Sequence, residues 1–193
     1  MTRDELLDLF RRSSGLLDGH FRLTSGLHSS GYLQCALVLQ HPEQAEMLGR
    51  AIADRTRGLR PSLVLSPALG GIVIGHEVAR ALGVRALFAE RQDGGLVLRR
   101  GFVIGESDRV LVVEDVLTTG GSTRETMQVA RAAGGQVIGA AAIVDRSAQT
   151  KARFDVPFAA LLEIDLPTFE PNLCPLCAQG LPVIKPGSRP MAT

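Results

Sequence analysis

Short apolar runs alternate with longer amphipathic segments along most of this chain, and that alternation limits the folds it can adopt. The runs at residues 63–65 and 110–113 are each followed by a glycine-containing turn and a segment with helical spacing. Parallel strands buried on both faces have such continuous apolar sequences, and helical crossovers connect them. The pattern therefore predicts an α/β fold with a mostly parallel central sheet flanked by helices.

The composition supports this fold and excludes some functions. Of the 193 residues, 45% are hydrophobic but only 4% aromatic, so the core must consist of Ala, Val, Leu and Ile. The net charge is +1 and acids and bases are interspersed, so nothing resembles the basic stripe of a nucleic-acid binder. We find neither a signal peptide nor an apolar stretch as long as a membrane span. Three cysteines make no disulfide framework, so we expect a cytoplasmic protein.

The chain length suits a single domain with three parts. We expect a small N-terminal subdomain at about residues 1–35, which begins with an amphipathic helix and continues, turn-rich and then strand-like, toward Gln40. The α/β core would occupy about residues 36–166, with a hairpin turn at 93–95. The proline-rich remainder, about residues 167–193, is predicted to be irregular.

The segment VLVVEDVLTTGGSTRET, residues 110–126, contains the strongest functional signal. Glu114 and Asp115 would lie at the carboxyl end of a buried strand, where open α/β sheets bind ligands. Residues 118–123 would form the turn into a helix from about Arg124, and their amides and hydroxyls suit a phosphate. The two acids could accept hydrogen bonds from sugar hydroxyls, so a ribose 5-phosphate fits. The alternative is an ordinary glycine-rich turn with two solvated acids.

The same segment closely resembles the phosphoribosyl pyrophosphate (PRPP) signature of the type I phosphoribosyltransferases. GHFRLTSGLHSSGYLQC (residues 19–35) is similar to the N-terminal hood of the family members that act on orotate, and SPALGGIVIGHEVARALG (66–83) to their pyrophosphate loop. IVDR (143–146) is similar to their orotate-binding strand end. The resemblance covers nearly everything up to about residue 166. It implies transfer of the phosphoribosyl group from PRPP to orotate, in the synthesis of UMP.

The resemblance also implies roles for individual residues. Orotate would be bound by Thr118, Arg146, Thr24 and Ser25, although Arg146 could instead form a surface salt bridge with Asp145. Residues 67–71 would wrap the pyrophosphate, with an ordinary helix start as the alternative. In full, the residues expected to bind PRPP are Glu114, Asp115, Val116, Leu117, Thr118, Thr119, Gly120, Gly121, Ser122, Ala68, Leu69, Gly70 and Gly71.

Two departures from the family pattern affect catalysis. Thr24 stands where many orotate enzymes have lysine, and the stretch that corresponds to their mobile loop, residues 90–106, contains neither Lys nor His. Its bases are Arg91, Arg99 and Arg100. We hypothesise that Arg91, with Arg99 or Arg100, stabilises the departing pyrophosphate electrostatically. The alternative is a solvated basic hairpin.

Catalysis would then depend on Asp115, Glu114 and Arg91. The family resemblance further implies Mg²⁺, held through PRPP and reached by Asp115 or Glu114 through water. It also implies a homodimer, because the mobile loop of the family covers the neighbouring subunit's site.

Cys174 and Cys177 form a C-x-x-C pair with the spacing of a metal knuckle. A structural zinc site needs four protein ligands, so two more would have to come from elsewhere in the fold or from a second subunit. An incidental reduced pair and redox chemistry are the alternatives. The histidines show no paired spacing, and we expect each to be structural or exposed. The candidates for the missing ligands are Cys35, His20, His28, His41 and His76.

Two other functions remain open from the sequence. Because Thr24 breaks the hood pattern, the base could be uracil or a purine. A regulator that binds PRPP or nucleotides without turnover would keep the same fold, although the chain shows neither an appended nucleic-acid-binding module nor a basic face.

Overall fold

The computed structural model describes residues 1–23, 25–148 and 152–185. The strands are β1 (Leu16–Arg22), β2 (His28–Leu33), β3 (Leu63–Pro67), β4 (Arg85–Gln92), β5 (Gly95–Leu98), β6 (Arg109–Leu117), β7 (Gln136–Asp145), β8 (Phe158–Glu163) and β9 (Thr168–Phe169). The helices are α1 (Arg3–Arg12), α2 (Ala36–Leu39), α3 (Pro42–Thr56), α4 (Gly70–Leu82), α5 (Gly121–Ala132) and α6 (Pro175–Ala178). Within the described ranges, none of the helices is long and apolar enough to cross a membrane.

The main sheet has six strands in the order β5-β4-β3-β6-β7-β8. All neighbours in it are parallel except β4 and β5, which form an antiparallel hairpin at one edge. Asp93 and Gly94 make the tight hairpin turn, both with positive φ. The predicted fold class, a mostly parallel sheet flanked by helices, is confirmed.

Both faces of this sheet are buried, which explains the continuous apolar runs in the sequence. On β3, Leu63 and Leu65 pack in a cluster with Met127 of α5. Val64, between them, packs on the opposite face with Ile74 of α4. Successive side chains of a strand point to opposite faces, so a strand covered on both sides is apolar at every position.

The N-terminal region contributes both to the main core and to a second, smaller sheet. Helix α1 begins with a capping box between Thr2 and Glu5, and it buries Leu6 and Phe10 in the main core. Strands β1 and β2 instead form a separate small sheet in the order β1-β2-β9. The predicted strand-like character up to Gln40 is wrong for α2, which is one helical turn.

The C-terminal segment is more ordered than the prediction of an irregular tail. After β9 come a 3-10 turn at Pro171–Leu173 and helix α6, in which Pro175 occupies a first-turn position. Further on, Ile184 pairs with Phe21 of β1. The segment up to residue 185 therefore packs along the N-terminal hairpin. Residues 186–193 of the predicted tail lie outside the described residues.

Candidate active site

The two acids lie near the carboxyl end of β6, where that strand keeps a partner on one side only. β3 pairs with β6 as far as Val112, whereas β7 pairs with it through Leu117. The strand thus extends beyond the predicted residues 110–113. Helix α5 begins at Gly121, three residues before the predicted start, so the loop between strand and helix is short. Glu114 and Asp115 come to lie beside that loop.

Asp115 is fixed against the start of α4. Its Oδ1 accepts a hydrogen bond of 2.8 Å from the Val116 amide. A Cβ atom on Gly70 would lie only 2.7 Å from Asp115 Oδ2. The preceding turn is tied to β4 by a hydrogen bond of 2.8 Å from the Ala68 amide to the Ala89 carbonyl, and its Ala68–Leu69 peptide is cis. The structure therefore brings the predicted pyrophosphate turn, residues 67–71, directly against Asp115.

Glu114 is buried, with 8% of its surface exposed. Burial, reinforced by the negative charge of Asp115, raises the pKa of Glu114 to about 8. Below that pH the side chain is mostly a neutral carboxylic acid. A ligand that offers hydroxyl donors or a cation to this carboxyl group would favour its ionised form.

The loop that follows the acids encloses a cavity of about 40 Å³. Gly120 has a φ of +76°, which L side chains rarely adopt, and it directs the chain into α5. Gly120, at the N-cap, makes no side-chain capping hydrogen bond, and the Gly121 amide donates only a long hydrogen bond of 3.4 Å to Thr119 Oγ1. The helix dipole at this end favours an anion. The cavity is lined by Glu114, Val116, Leu117, Thr118, Thr119, Gly120, Gly121, Ser122 and Thr123.

Arg146 follows β7 at the same edge of the sheet. Its amide donates a hydrogen bond of 2.8 Å to the Leu117 carbonyl, which places it beside the loop. Its Nε is buried without a hydrogen-bond partner among the described residues. Burial lowers the pKa of Arg146, opposed by the charge of Asp165. The acid that acts electrostatically on Arg146 is thus Asp165 and not Asp145, the partner in the alternative salt bridge. Asp145 accepts a hydrogen bond from the Ser147 amide.

Of the two hood residues predicted to bind orotate, Thr24 lies outside the described residues. Ser25 is exposed in the turn between β1 and β2. Their role in orotate binding stays a prediction.

The three predicted arginines lie on or just after the β4–β5 hairpin. Arg91 forms a salt bridge of 2.7 Å with Glu125 of α5, and Arg100 forms one of 2.7 Å with Glu90. Arg99 is exposed. Arg91 is therefore held beside the helix whose first turn lines the cavity. A catalytic role for any of the three remains a prediction.

Sequence analysis did not predict that Cys35 would lie beside the acids. Its Sγ lies 3.8 Å from the Asp115 carbonyl oxygen. Burial, with the charges of Asp115 and Glu114, raises the pKa of this thiol well above its usual range. Cys35 is thus a packed thiol under the carboxyl end of β6, and its neutral form suits that position.

The cysteine pair does find two further candidate ligands. Cys174 and Cys177 converge with His20 and His28, whereas Cys35 belongs to the site around Asp115. The two histidines are eight residues apart, on either side of the β1–β2 turn. His28 pairs with Arg22, and His20 lies two residues before Arg22 on β1, so the two histidines are diagonal neighbours across the hairpin. The spacing of the histidines in the sequence did not reveal this.

An open parallel sheet with acids and an anion-binding loop at its carboxyl edge is the architecture of the phosphoribosyltransferases. The model of the phosphoribosyl transferase domain matches residues 37–160 of this chain. The chain belongs to this family, and within it to the orotate phosphoribosyltransferases.

Relatives and solved structures support that placement. The chain is 54% identical to the orotate phosphoribosyltransferase of Pelotomaculum thermopropionicum, over 98% of this chain and 99% of the relative. It is also 54% identical to that of Heliobacterium modesticaldum, over 98% and 100%. The Mycobacterium tuberculosis orotate phosphoribosyltransferase in complex with Fe(III) dicitrate is similar in structure, with a TM-score of 0.73 and 26% identity, over 83% of this chain and 95% of that one.

Proposed function

We propose that the protein transfers the phosphoribosyl group of PRPP to orotate, which gives orotidine 5-phosphate and pyrophosphate for pyrimidine nucleotide synthesis. The observation that carries this proposal is the position of Glu114 and Asp115 beside the cavity of the 118–123 loop. It is supported by a complex of the M. tuberculosis enzyme with PRPP, which is 27% identical to this chain, with a TM-score of 0.67, over 83% of this chain and 95% of that one.

The 5-phosphate and the ribose hydroxyls of PRPP match two different features at the carboxyl edge of the sheet, the start of α5 and the pair of acids. The amides and hydroxyls at the start of α5 would hold the 5-phosphate, because the helix dipole favours an anion there. Glu114 and Asp115 would accept hydrogen bonds from the ribose 2- and 3-hydroxyls. Hydrogen bonds to charged groups contribute about 1.5–3 kcal/mol each, so the acids would account for much of the affinity.

The turn at residues 67–71 would bind the pyrophosphate through backbone amides. Its contact with Asp115 at Gly70 connects the pyrophosphate and ribose ends of the site. Carboxylate oxygens near substrate phosphates also fit Mg²⁺, which keeps several waters and binds one or two carboxylates. Asp115 and Glu114 would hold that ion, directly or through water. When bound, Mg²⁺ neutralises part of the pyrophosphate charge.

Arg146 would bind the carboxylate of orotate. Its buried Nε has no partner among the described residues, and an unpaired buried donor is costly. A guanidinium donates two parallel hydrogen bonds to a carboxylate, so a planar anionic base suits this position. Thr118, in the adjacent loop, would lie near the base, with Thr24 and Ser25 contributing from the hood.

The protein would act mainly by alignment and electrostatics. As the bond from C1 to pyrophosphate breaks, the sugar becomes oxocarbenium-like and the ring nitrogen of orotate attacks. Holding both reactants in line removes much of the entropic barrier. Arg91, beside α5, would stabilise the charge that develops on the leaving group.

We also infer a homodimer. Leu69 is 84% exposed and Val73 is exposed beside it, at the start of α4 next to the proposed site. A neighbouring subunit whose mobile loop covers this site, as the family resemblance implies, would also cover these two side chains. Light scattering after gel filtration measures the mass directly, and a monomer at assay concentrations would refute the inference.

A base panel tests the proposed reaction. The protein is incubated with PRPP, Mg²⁺ and orotate, uracil, adenine or hypoxanthine, and nucleotide and pyrophosphate are both measured. We expect product with orotate alone. Product with another base alone would contradict the proposal, and tight PRPP binding without turnover on any base would show a regulator instead.

A further inference from the structure

We propose that His20, His28, Cys174 and Cys177 form a structural zinc site that joins the C-terminal segment to the N-terminal hairpin. Their ligand atoms all lie within 4.8 Å of one another. His20 belongs to β1 and His28 to β2, while Cys174 immediately precedes α6 and Cys177 lies within it.

The distances between these atoms approach the edges of a zinc tetrahedron. With Zn–S near 2.3 Å and Zn–N near 2.0 Å, sulfur and nitrogen ligands lie about 3.5 Å apart. Here Cys174 Sγ lies 3.4 Å from His20 Nε2, and Cys177 Sγ lies 3.7 Å from His20 Nε2 and 3.3 Å from His28 Nδ1. The two ring nitrogens are 2.9 Å apart, short of the tetrahedral value of about 3.3 Å. The remaining pairs lie within 4.8 Å, so shifts of up to about 1 Å would complete the site.

A backbone contact orients His20 for metal binding. Its Nδ1 lies 2.9 Å from the Leu181 carbonyl oxygen, so this nitrogen must carry the proton and donate. The lone pair of Nε2 then points toward the two sulfurs. Ligating histidines commonly make such a second hydrogen bond, which fixes the ring and its tautomer.

The chemistry of the four ligands selects the metal and its role. Two thiolates and two imidazoles in tetrahedral arrangement favour zinc among the common metals. Four protein ligands leave no position for substrate, so the site would be structural. His20 and Cys174 are each only 3% exposed. A redox C-x-x-C pair would not need two imidazoles directed at its sulfurs, which is why we favour the metal.

The site would hold a C-terminal segment that buries little apolar surface of its own, since Leu173 is 75% exposed and Ile184 55% exposed. β9 has two residues, and small sheets are marginal without further support. The backbone already connects the two segments, since the Ile184 amide donates to the His20 carbonyl over 2.8 Å and the Arg22 amide to the Ile184 carbonyl over 2.9 Å. Zinc would add a crosslink between residues more than 140 positions apart, as in small domains folded around metal.

Metal analysis of the untagged full chain, purified without chelator and with no added zinc, tests the proposal. We expect about one zinc ion per chain. Less than about a tenth of an ion per chain, both as purified and after incubation with equimolar Zn²⁺ followed by gel filtration, would overturn it. This measurement does not depend on orotate or PRPP, so its result is separate from that of the proposed function.

Cobalt substitution tests the ligand set in the wild-type protein. Bound Co²⁺ should show the intense visible bands of a tetrahedral ion and a thiolate-to-cobalt charge-transfer band. A six-coordinate spectrum without thiolate charge transfer would overturn the assignment.

Variants then identify the ligands. Cys177→Ser is preferred because Cys177 is exposed, and the variant should lose zinc to a chelator concentration that leaves the wild type loaded. Cys35→Ala and His76→Ala, which remove a cysteine and a histidine outside the cluster, should keep it. If Cys177→Ser retains zinc as tightly as the wild type, the ligand set is wrong.

Discussion

The carboxyl edge of the main sheet and the small sheet with its C-terminal segment build their sites in opposite ways. At the edge, residues 114–122 are contiguous, and one strand, one loop and one helix start position all of them. The His/Cys cluster instead draws on two hairpin strands and a helix at the far end of the chain. A local site can be recognised from a motif, whereas a site of distant residues exists only after the chain has folded.

The contact of Gly70 with Asp115 is where the main-sheet site should be most sensitive. In Gly70→Ala the new methyl group would displace the Asp115 carboxylate, which is the end of a side chain, so the fold should survive. We expect kcat/KM to fall by about 100-fold, because small misplacements of catalytic groups have effects of that size. Steady-state kinetics measure the loss in kcat/KM, and thermal unfolding shows whether the fold survives.

Gly58→Ala is the matched control, since a Cβ there would have no neighbour within 4 Å, and its kinetics should be unchanged. Wild-type kinetics in Gly70→Ala would show that the Asp115 position does not matter.

The raised pKa of Glu114 predicts that the folded protein becomes less stable as this buried carboxyl group ionises. Because the folded protein holds a proton that the unfolded chain releases at its ordinary pKa, stability should fall as pH rises between about 4.5 and 8. Relative to Glu114→Gln, the wild type should lose about 1.4 kcal/mol of unfolding free energy per pH unit in that window. Denaturant unfolding without ligand measures it. Glu43→Gln, at an exposed position, serves as the control, and parallel pH curves for wild type and Glu114→Gln would contradict the account.

The β4–β5 hairpin should have a smaller effect on catalysis. We expect Arg91→Ala to lower kcat by about tenfold, as one of several groups that stabilise the leaving charge. Arg131→Ala removes a comparable exposed ion pair, with Asp155, and should leave kcat unchanged. Wild-type turnover in the triple variant Arg91→Ala, Arg99→Ala, Arg100→Ala would rule the arginines out.

Zinc removal should have the smallest effect on the reaction and separates the two regions. The proposed zinc site would stabilise the β1–β2 hairpin, and the turn of that hairpin carries Ser25, a proposed orotate contact. Together the two proposals predict that removing zinc raises the KM for orotate severalfold and leaves the affinity for PRPP unchanged. Calorimetry with PRPP and kinetics with orotate measure the two quantities. An equal loss of PRPP affinity would mean that the regions are not independent.

Those features that depend on local sequence patterns could be predicted from the sequence. Apolar periodicity identified the parallel sheet. The structure gathers Glu114 and residues 116–123 around one cavity, and their binding roles stay predictions. The predicted start of α5, at about Arg124, is wrong because Gly120 adopts a positive φ and the helix begins directly after it. Ser122 and Thr123, which the prediction placed in the loop, therefore belong to the first turn of the helix. His20 and His28 could not be paired from spacing alone, since a register shift in β1 and the return of the C-terminal segment bring the cluster together.

The affinity for PRPP tests the central claim most directly. Isothermal titration calorimetry with PRPP and Mg²⁺ compares the wild type with the double variant Glu114→Gln, Asp115→Asn. Asp8→Asn, Asp54→Asn changes the formal charge equally at two exposed positions. We predict that the first variant loses at least about 100-fold in affinity, as expected when two hydrogen-bond acceptors lose the charge that they carry in the complex. The second variant should bind like the wild type. Undiminished PRPP affinity in the first would contradict the account.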